Sequence, residues 1–259
     1  MQTMTDIPTL TGPSAAQANK AERTSATIPD PQWKDLYRIA AIASFLVGVF
    51  IIVAIVAFFI WPYKPGFTSV TGIFATIHTN QLQGILSLDF FMVIITLLTI
   101  PFYLGLFAAF QRVNASYNLL AFVLGLISCV LILTVRPIAE MLSLSNQYAA
   151  ATTDAARSQY VAAGEALTAL FNGTAWLLYM VLQGIANLIY SMLMIRSSIF
   201  SKFTGYFGFI ITIVGLGFWL PVVGIYVNLV TSLVSFIWYF LIAWTFFRLG
   251  WGKSQVPVA

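Results

Sequence analysis

The sequence predicts an all-α, polytopic membrane protein with six transmembrane helices, both termini cytoplasmic, and one interfacial helix between the first two spans. Three observations predict it. Charged residues make up 8% of the chain against 60% hydrophobic ones, and the mean hydropathy is +0.91, a balance that no water-soluble globule of this length carries. The apolar residues fall in runs of the roughly 20 residues that one helical crossing of the hydrocarbon core needs. The basic residues gather on one side of those runs.

Residues 1–33 lie ahead of the first run. Pro8, Pro13, Pro29 and Pro31 punctuate a stretch of Thr, Ser, Ala and Gln with no apolar period, which reads as a disordered cytoplasmic tail. The tail is too long and too polar for the basic region of a secretory signal, and no small-residue cleavage site follows, so the first run is expected to stay as an uncleaved anchor.

The membrane domain is expected over residues 34–250. The first span, about 39–61, is entered through Trp33, Lys34, Tyr37 and Arg38, residues suited to a headgroup region, and Pro62 and Pro65 end it. Between it and the second span, Val70, Ile73, Phe74 and Ile77 share one helical face in a segment too short to cross, hence the interfacial helix. The second span, about 84–110, contains Asp89 near its beginning and Pro101 inside, where a kink is expected.

The third span, about 117–137, is expected to continue as a polar helix through Arg136, Glu140, Ser143 and Gln147. Thr152, Thr153 and Asp154 look like a new helix start, and that Ala-rich segment is expected to run straight into the fourth span, about 171–195, which Arg196 stops. A single helix over Phe203–Phe247 would be about 68 Å long, more than twice the hydrocarbon thickness. The breakers Gly215, Gly217, Pro221 and Gly224 therefore mark a tight hairpin between spans of about 203–220 and 222–247. Residues 251–259 form a short cytoplasmic tail.

Orientation follows from the 12 Lys and Arg residues. With the N-terminal tail inside, the inner side holds Lys20, Arg23, Lys34, Arg38, Arg112, Arg196, Lys202, Arg248 and Lys253, against Lys64, Arg136 and Arg157 outside. That bias obeys the positive-inside rule, and it accounts for the net charge of +4 without nucleic acid. The lone Cys129 excludes an intrachain disulfide.

Polar residues inside the spans fall on stripes. Asn172, Trp176, Tyr179, Gln183, Asn187 and Tyr190 share a face of the fourth span; Asn228, Ser232, Ser235 and Tyr239 share one on the sixth; Asp89, Thr96, Thr99 and Tyr103 share one on the second. Such groups either bridge helices or line a wet cavity. The cavity reading places it between the second, third, fourth and sixth spans, with Tyr179, Gln183, Asn187 and Asn228 as hydrogen-bonding groups.

Asp89 and Arg136 are expected at the same level below the outer surface, with Glu140 an i, i+4 neighbour of Arg136. The pair reads either as a structural staple or as a ligand or proton site. His78 and Glu165 belong to the same side and are weak metal candidates beside Asp89 and Glu140, but one His and no spaced motif leave no assigned metal or cofactor. No second His for bis-His haem, no Lys within a span for a Schiff base and no phosphate-loop motif are present, and nothing supports a catalytic residue. On the fifth span Gly205, Gly208, Thr212 and Gly215 form a small-residue face for close helix packing, within the chain or across a dimer seam.

The stretch Leu182–Lys202, LQGIANLIYSMLMIRSSIFSK, together with the Asp in the second span, the polar fourth span and the short basic loop before the small-residue fifth span, resembles a bacterial family of six-span integral membrane proteins catalogued as a domain of unknown function. The resemblance covers about 36–250 and implies a bacterial inner membrane and no established activity.

The functional expectation is a non-enzymatic integral membrane protein with an outward-biased polar cavity for binding, sensing or passage of a small or lipid-like molecule, with membrane lipids as surroundings and no nucleic acid. The rivals are an accessory or scaffold subunit of a larger membrane complex, with a protein partner, and an intramembrane enzyme.

Overall fold

The structure, a computed structural model, describes residues 31–61, 65, 68–220 and 223–252, without the side chains of Pro31, Trp219, Ile225, Asn228 and Leu229. The tails expected at 1–33 and 251–259 fall almost wholly outside the described residues, as do Pro62 and Pro221.

The described chain is helical throughout, with no strand among its residues. Ten α-helices follow one another: α1 (Lys34–Ile60), α2 (Val70–Thr79), α3 (Gln81–Ser87), α4 (Phe90–Phe110), α5 (Ala115–Thr134), α6 (Ile138–Ala150), α7 (Asp154–Phe171), α8 (Thr174–Arg196), α9 (Lys202–Gly215) and α10 (Gly224–Trp251). A 3-10 turn at Leu216–Trp219 extends α9. Side-chain caps set several starts: Ser69, Asn80, Asn114, Thr153 and Ser201 each accept a hydrogen bond from the backbone N–H three residues on, satisfying donors that a helix N-terminus otherwise leaves unpaired.

Five helical stretches are long and apolar enough to cross a membrane: α1, α4, those containing α5 and α8, and α10 from Val230 onward. They mark the chain as a multi-pass membrane protein. The segment read as a fifth span is a shorter apolar helix, Lys202–Phe218. Apolar side chains such as Ile42, Phe45, Leu119, Val130, Ile210 and Trp244 cover the outside, as the absence of water around a bilayer-spanning surface allows.

The six longest apolar elements close into a ring. Helix α1 packs on α4, α4 on α5, α5 on α8, α8 on α9, α9 on α10, and α10 back on α1. Every seam but the last joins apolar runs that follow one another in sequence. Chain reversal at the expected hairpin is read from its flanks, because Gly208 faces Trp238, Gly215 faces Thr231 and Gly217 faces Val227, an antiparallel register. Gly224 permits the turn: its N–H donates to the Leu220 carbonyl, and the Phe218 carbonyl fills the space a Cβ would need. At the closing seam Gly48 receives the Phe240 ring, and Arg38 Nε donates to the Gly250 carbonyl at 2.9 Å.

The core of the ring is aromatic. Phe102, Tyr103, Phe110, Tyr190, Trp238 and Phe246 are all fully buried, in tilted and stacked pairs such as Tyr103–Tyr190 and Phe110–Phe200.

A second cluster sits at the opposite end of the ring from Arg38 and Gly250. Here α2, α6 and α7 pack into a cap around Val70, Ile73, Phe74, Ile77, Leu88 and Met141. The helix expected between the first two spans forms over Val70–Thr79, and its apolar face is buried against α6 and α7, with Ser145 donating to the Phe74 carbonyl at 3.1 Å and Gly164 lying against Val70 and Phe74.

Three junctions differ from the expected continuous helices. The second span starts at Phe90, because Asp89 adopts left-handed backbone, φ 65°, between α3 and α4; Asp is among the few non-Gly residues that take this conformation readily. The third span ends at Thr134, because the residue before a proline is pushed out of the helical region and Pro137 follows Arg136. The helix through α7 breaks at Asn172–Gly173 before α8 begins. Helix α4 continues through Pro101 to Phe110.

Candidate functional site: a charged junction and a lateral cavity

Arg136 lies where three of these junctions meet. Its Nε donates to Asp89 Oδ2 at 3.0 Å, and its Nη1 to the carbonyls of Val135 at 3.3 Å and Phe171 at 3.2 Å. The guanidinium carbon also lies 4.1 Å from the centroid of the Phe171 ring, close enough for a cation–π attraction. One side chain thus ties together the start of α4, the end of α5 and the end of α7.

Burial differs sharply within the pair. The Arg136 side chain is 3% exposed and that of Asp89 30%. The cation is sealed inside the protein and the carboxylate faces a cavity. A planar guanidinium with five donors suits this place, since it serves acceptors in several directions at once.

The cavity has a volume of about 450 Å³, within the range of pockets that hold drug-sized ligands. Its wall contains Asp89, Met92 and Ile95 at the start of α4, and Trp176, Tyr179, Gln183 and Asn187 along α8. Ser232, Ser235, Trp238 and Tyr239 of α10, Thr212 and Gly215 of α9, and Ile51, Ile55, Phe58 and Phe59 of α1 complete it. Of the expected helices, α5 contributes nothing; α1 and α9 take its place. No polar pattern marks these two helices in sequence, because their contributions are almost entirely apolar.

Asn187 Oδ1 accepts from the Tyr103 hydroxyl at 3.1 Å, joining α8 to α4 at the cavity floor. Gln183 is half-buried on the wall one turn above it. Asn228 was expected among these groups, but its side chain lies outside the described residues. Several hydroxyls donate within their own helices: Thr96, Thr99, Thr212 and Thr231 each bond a carbonyl one turn back. Cross-helix polar contacts are made by Thr99, which also hydrogen-bonds Tyr239 of α10, by Tyr103, by Asn118, whose Nδ2 donates to the Phe107 carbonyl, and by Trp238, whose Nε1 donates to the Thr204 carbonyl.

The remaining acidic and His candidates do not join the site. Glu140 is exposed on α6 and is not paired with Arg136, because the helix break at Pro137 removes the helical spacing assumed for the two. His78 and Glu165 are exposed on α2 and α7, and among the described residues no three His, Cys, Asp or Glu side chains stand close enough to hold a metal. The small-residue face of α9 is occupied within the chain: Gly205 lies against Ile195 and Ser191, and Gly208 against Trp238 and Ser191.

No protein-family model matches the chain, and comparison with curated proteins and with solved structures likewise yields no match.

Proposed function

We propose that the chain is a six-span protein of a bacterial inner membrane, with both termini cytoplasmic, whose cavity binds a small or lipid-like molecule from the outer side. The supporting observation for the binding role is the cavity of about 450 Å³ with Asp89, Tyr179, Gln183 and Asn187 in its wall. Polar groups facing an apolar-walled space of this size are costly in a bilayer unless something pairs with them. The basic-residue asymmetry supports the orientation, which puts Asp89 and the helical cap outside. The shorter α9 completes the even number of crossings that termini on one side require.

The accessory-subunit alternative is weakened in one respect. The glycine face that offered a docking seam is filled by Ser191, Ile195 and Trp238 of the same chain.

Protein purified in native-lipid nanodiscs tests the binding role. Wild type should retain a bound small molecule detectable by native mass spectrometry, and Ser235→Phe, which fills the cavity, should lose it. Identical occupancy in the two would remove the proposal's basis. Reporter fusions at residues 1, 154 and 259 read the topology separately, the second expected outside and the others inside.

A further inference from the structure

The cavity wall is unusually one-sided in charge. Among the described residues that line it, Asp89 is the only charged side chain, and no Lys, Arg or His reaches it. Arg136 stands behind Asp89 with its donors directed to Asp89, Val135 and Phe171 and its face on the Phe171 ring. Asp89 Oδ2 takes the Arg136 bond, and Asp89 lines the cavity, so its carboxylate offers further acceptor lone pairs there.

The lining divides by helix. Gln183, Asn187, Ser232 and Ser235 supply polar groups on α8 and α10, whereas Ile55, Phe58 and Phe59 of α1 supply an apolar side. Phe59 is 67% exposed, and Ile52, Val56, Phe58 and Ile60 beside it are exposed as well. Helices α1 and α4 meet at Gly105 with Ala40 and again at Phe50 with Phe91; α4 begins just beyond that second contact. The last turns of α1 therefore run past the start of α4, and the cavity reaches the apolar outside of the bundle beside them.

We infer that the cavity takes a single-chain amphiphile laterally from the membrane, with a hydrogen-bond-donating head that carries no negative charge lying toward Asp89 and its chain passing out beside Phe58 and Phe59. An ammonium or hydroxyl head supplies donors to the Asp89 carboxylate and to the amide oxygens nearby. A carboxylate or phosphate head meets the nearer charge, Asp89, before the farther Arg136, and like charges in a low-dielectric site repel strongly. The inference rests on the binding role proposed above and adds the chemistry of the head and the direction of approach.

The test uses full-length protein in detergent, titrated with three probes that share one acyl chain: 1-monooleoylglycerol, oleylamine and oleate, with occupancy read by native mass spectrometry. Monooleoylglycerol or oleylamine should bind about tenfold or more tightly than oleate, the order of the two telling a hydroxyl head from an ammonium one, and Ser232→Phe should abolish the tighter binding. Asp89→Asn should narrow the difference if it folds; Ser232→Phe, whose wild-type hydroxyl holds no neighbouring helix, keeps the test open if it does not. Oleate binding as tightly as both other probes, still lost in Ser232→Phe, overturns the head-group inference and leaves the cavity a binding site. Binding of all three that is indifferent to Ser232→Phe overturns this inference and the binding role together.

Discussion

Arg136 uses Phe171 twice, donating to its carbonyl at 3.2 Å and resting 4.1 Å above its ring, while the same guanidinium holds Asp89 at 3.0 Å. The membrane ring and the helical cap are joined through these contacts. Removing one partner leaves a buried charge without compensation, which typically costs about 3 to 5 kcal/mol. Asp89→Asn keeps the residue's tolerance of left-handed backbone, so its effect isolates the charge. Thermal unfolding in detergent should show Asp89→Asn and Arg136→Met each strongly destabilised, and the double variant less destabilised than their sum. Additive losses would mean the two side chains act independently.

Arg136→Lys preserves the charge but not the fork. An ammonium on a flexible stem cannot reproduce both the Nε bond to Asp89 and the ring contact with Phe171. The expected outcome is a loss of about 1 to 3 kcal/mol, consistent with losing hydrogen bonds to a charged group, together with faster protease cleavage within residues 138–171. Wild-type cleavage kinetics in this variant would show that charge alone holds the cap.

The cap can be perturbed without touching the ring. A Cβ at Gly164 would lie 2.5 Å from Val70 Cγ1 and 3.0 Å from the Phe74 ring, so Gly164→Val forces α2 and α7 apart at a cost of about 1 to 3 kcal/mol. Limited proteolysis should detach or nick the cap while the tryptophan fluorescence, whose sources all lie outside α2, α6 and α7, stays unchanged.

Gly208 is the corresponding point within the ring. Ser191 Oγ would stand 2.6 Å from an added Cβ, and Trp238 closer still. Trp238 is held by its bond to the Thr204 carbonyl at 3.1 Å and has no room to retreat. Gly208→Val should lower the unfolding temperature far more than Gly215→Ala, whose added methyl would meet its nearest neighbour, Thr231, at an ordinary 3.8 Å. Equal shifts would place the tight seam elsewhere.

Tyr103→Phe removes one bond, that to Asn187. Interhelical hydrogen bonds in bilayers average about 0.6 kcal/mol, so a small drop in unfolding temperature is expected, with the Tyr103–Tyr190 stacking retained. A large drop would mean that the hydroxyl organises more than this contact.

The apolar runs and the breaker cluster around Pro221 made the helical layout readable, because run length and proline position act locally. Asp89 and Arg136 were readable as partners through their shared distance from the spans' other ends. Two things were not. The cap depends on Met141, Ile138 and Leu142 turning toward α2, a tertiary pairing that a mostly polar segment does not announce, and on the break at Pro137, where a continuous helix was expected. The contribution of α1 to the cavity wall is also invisible in sequence, since Ile51, Ile55 and Phe58 look the same whether they face acyl chains or an internal space.

The ring's order has a consequence for biogenesis. Because each apolar run packs on the one made just before it, a chain emerging from the ribosome can settle every seam in turn, with no helix waiting for a distant mate. The exception is the strip around Gly48, which stays uncovered until Phe240 is synthesised, so the last helix acts as the bolt that locks an otherwise finished assembly.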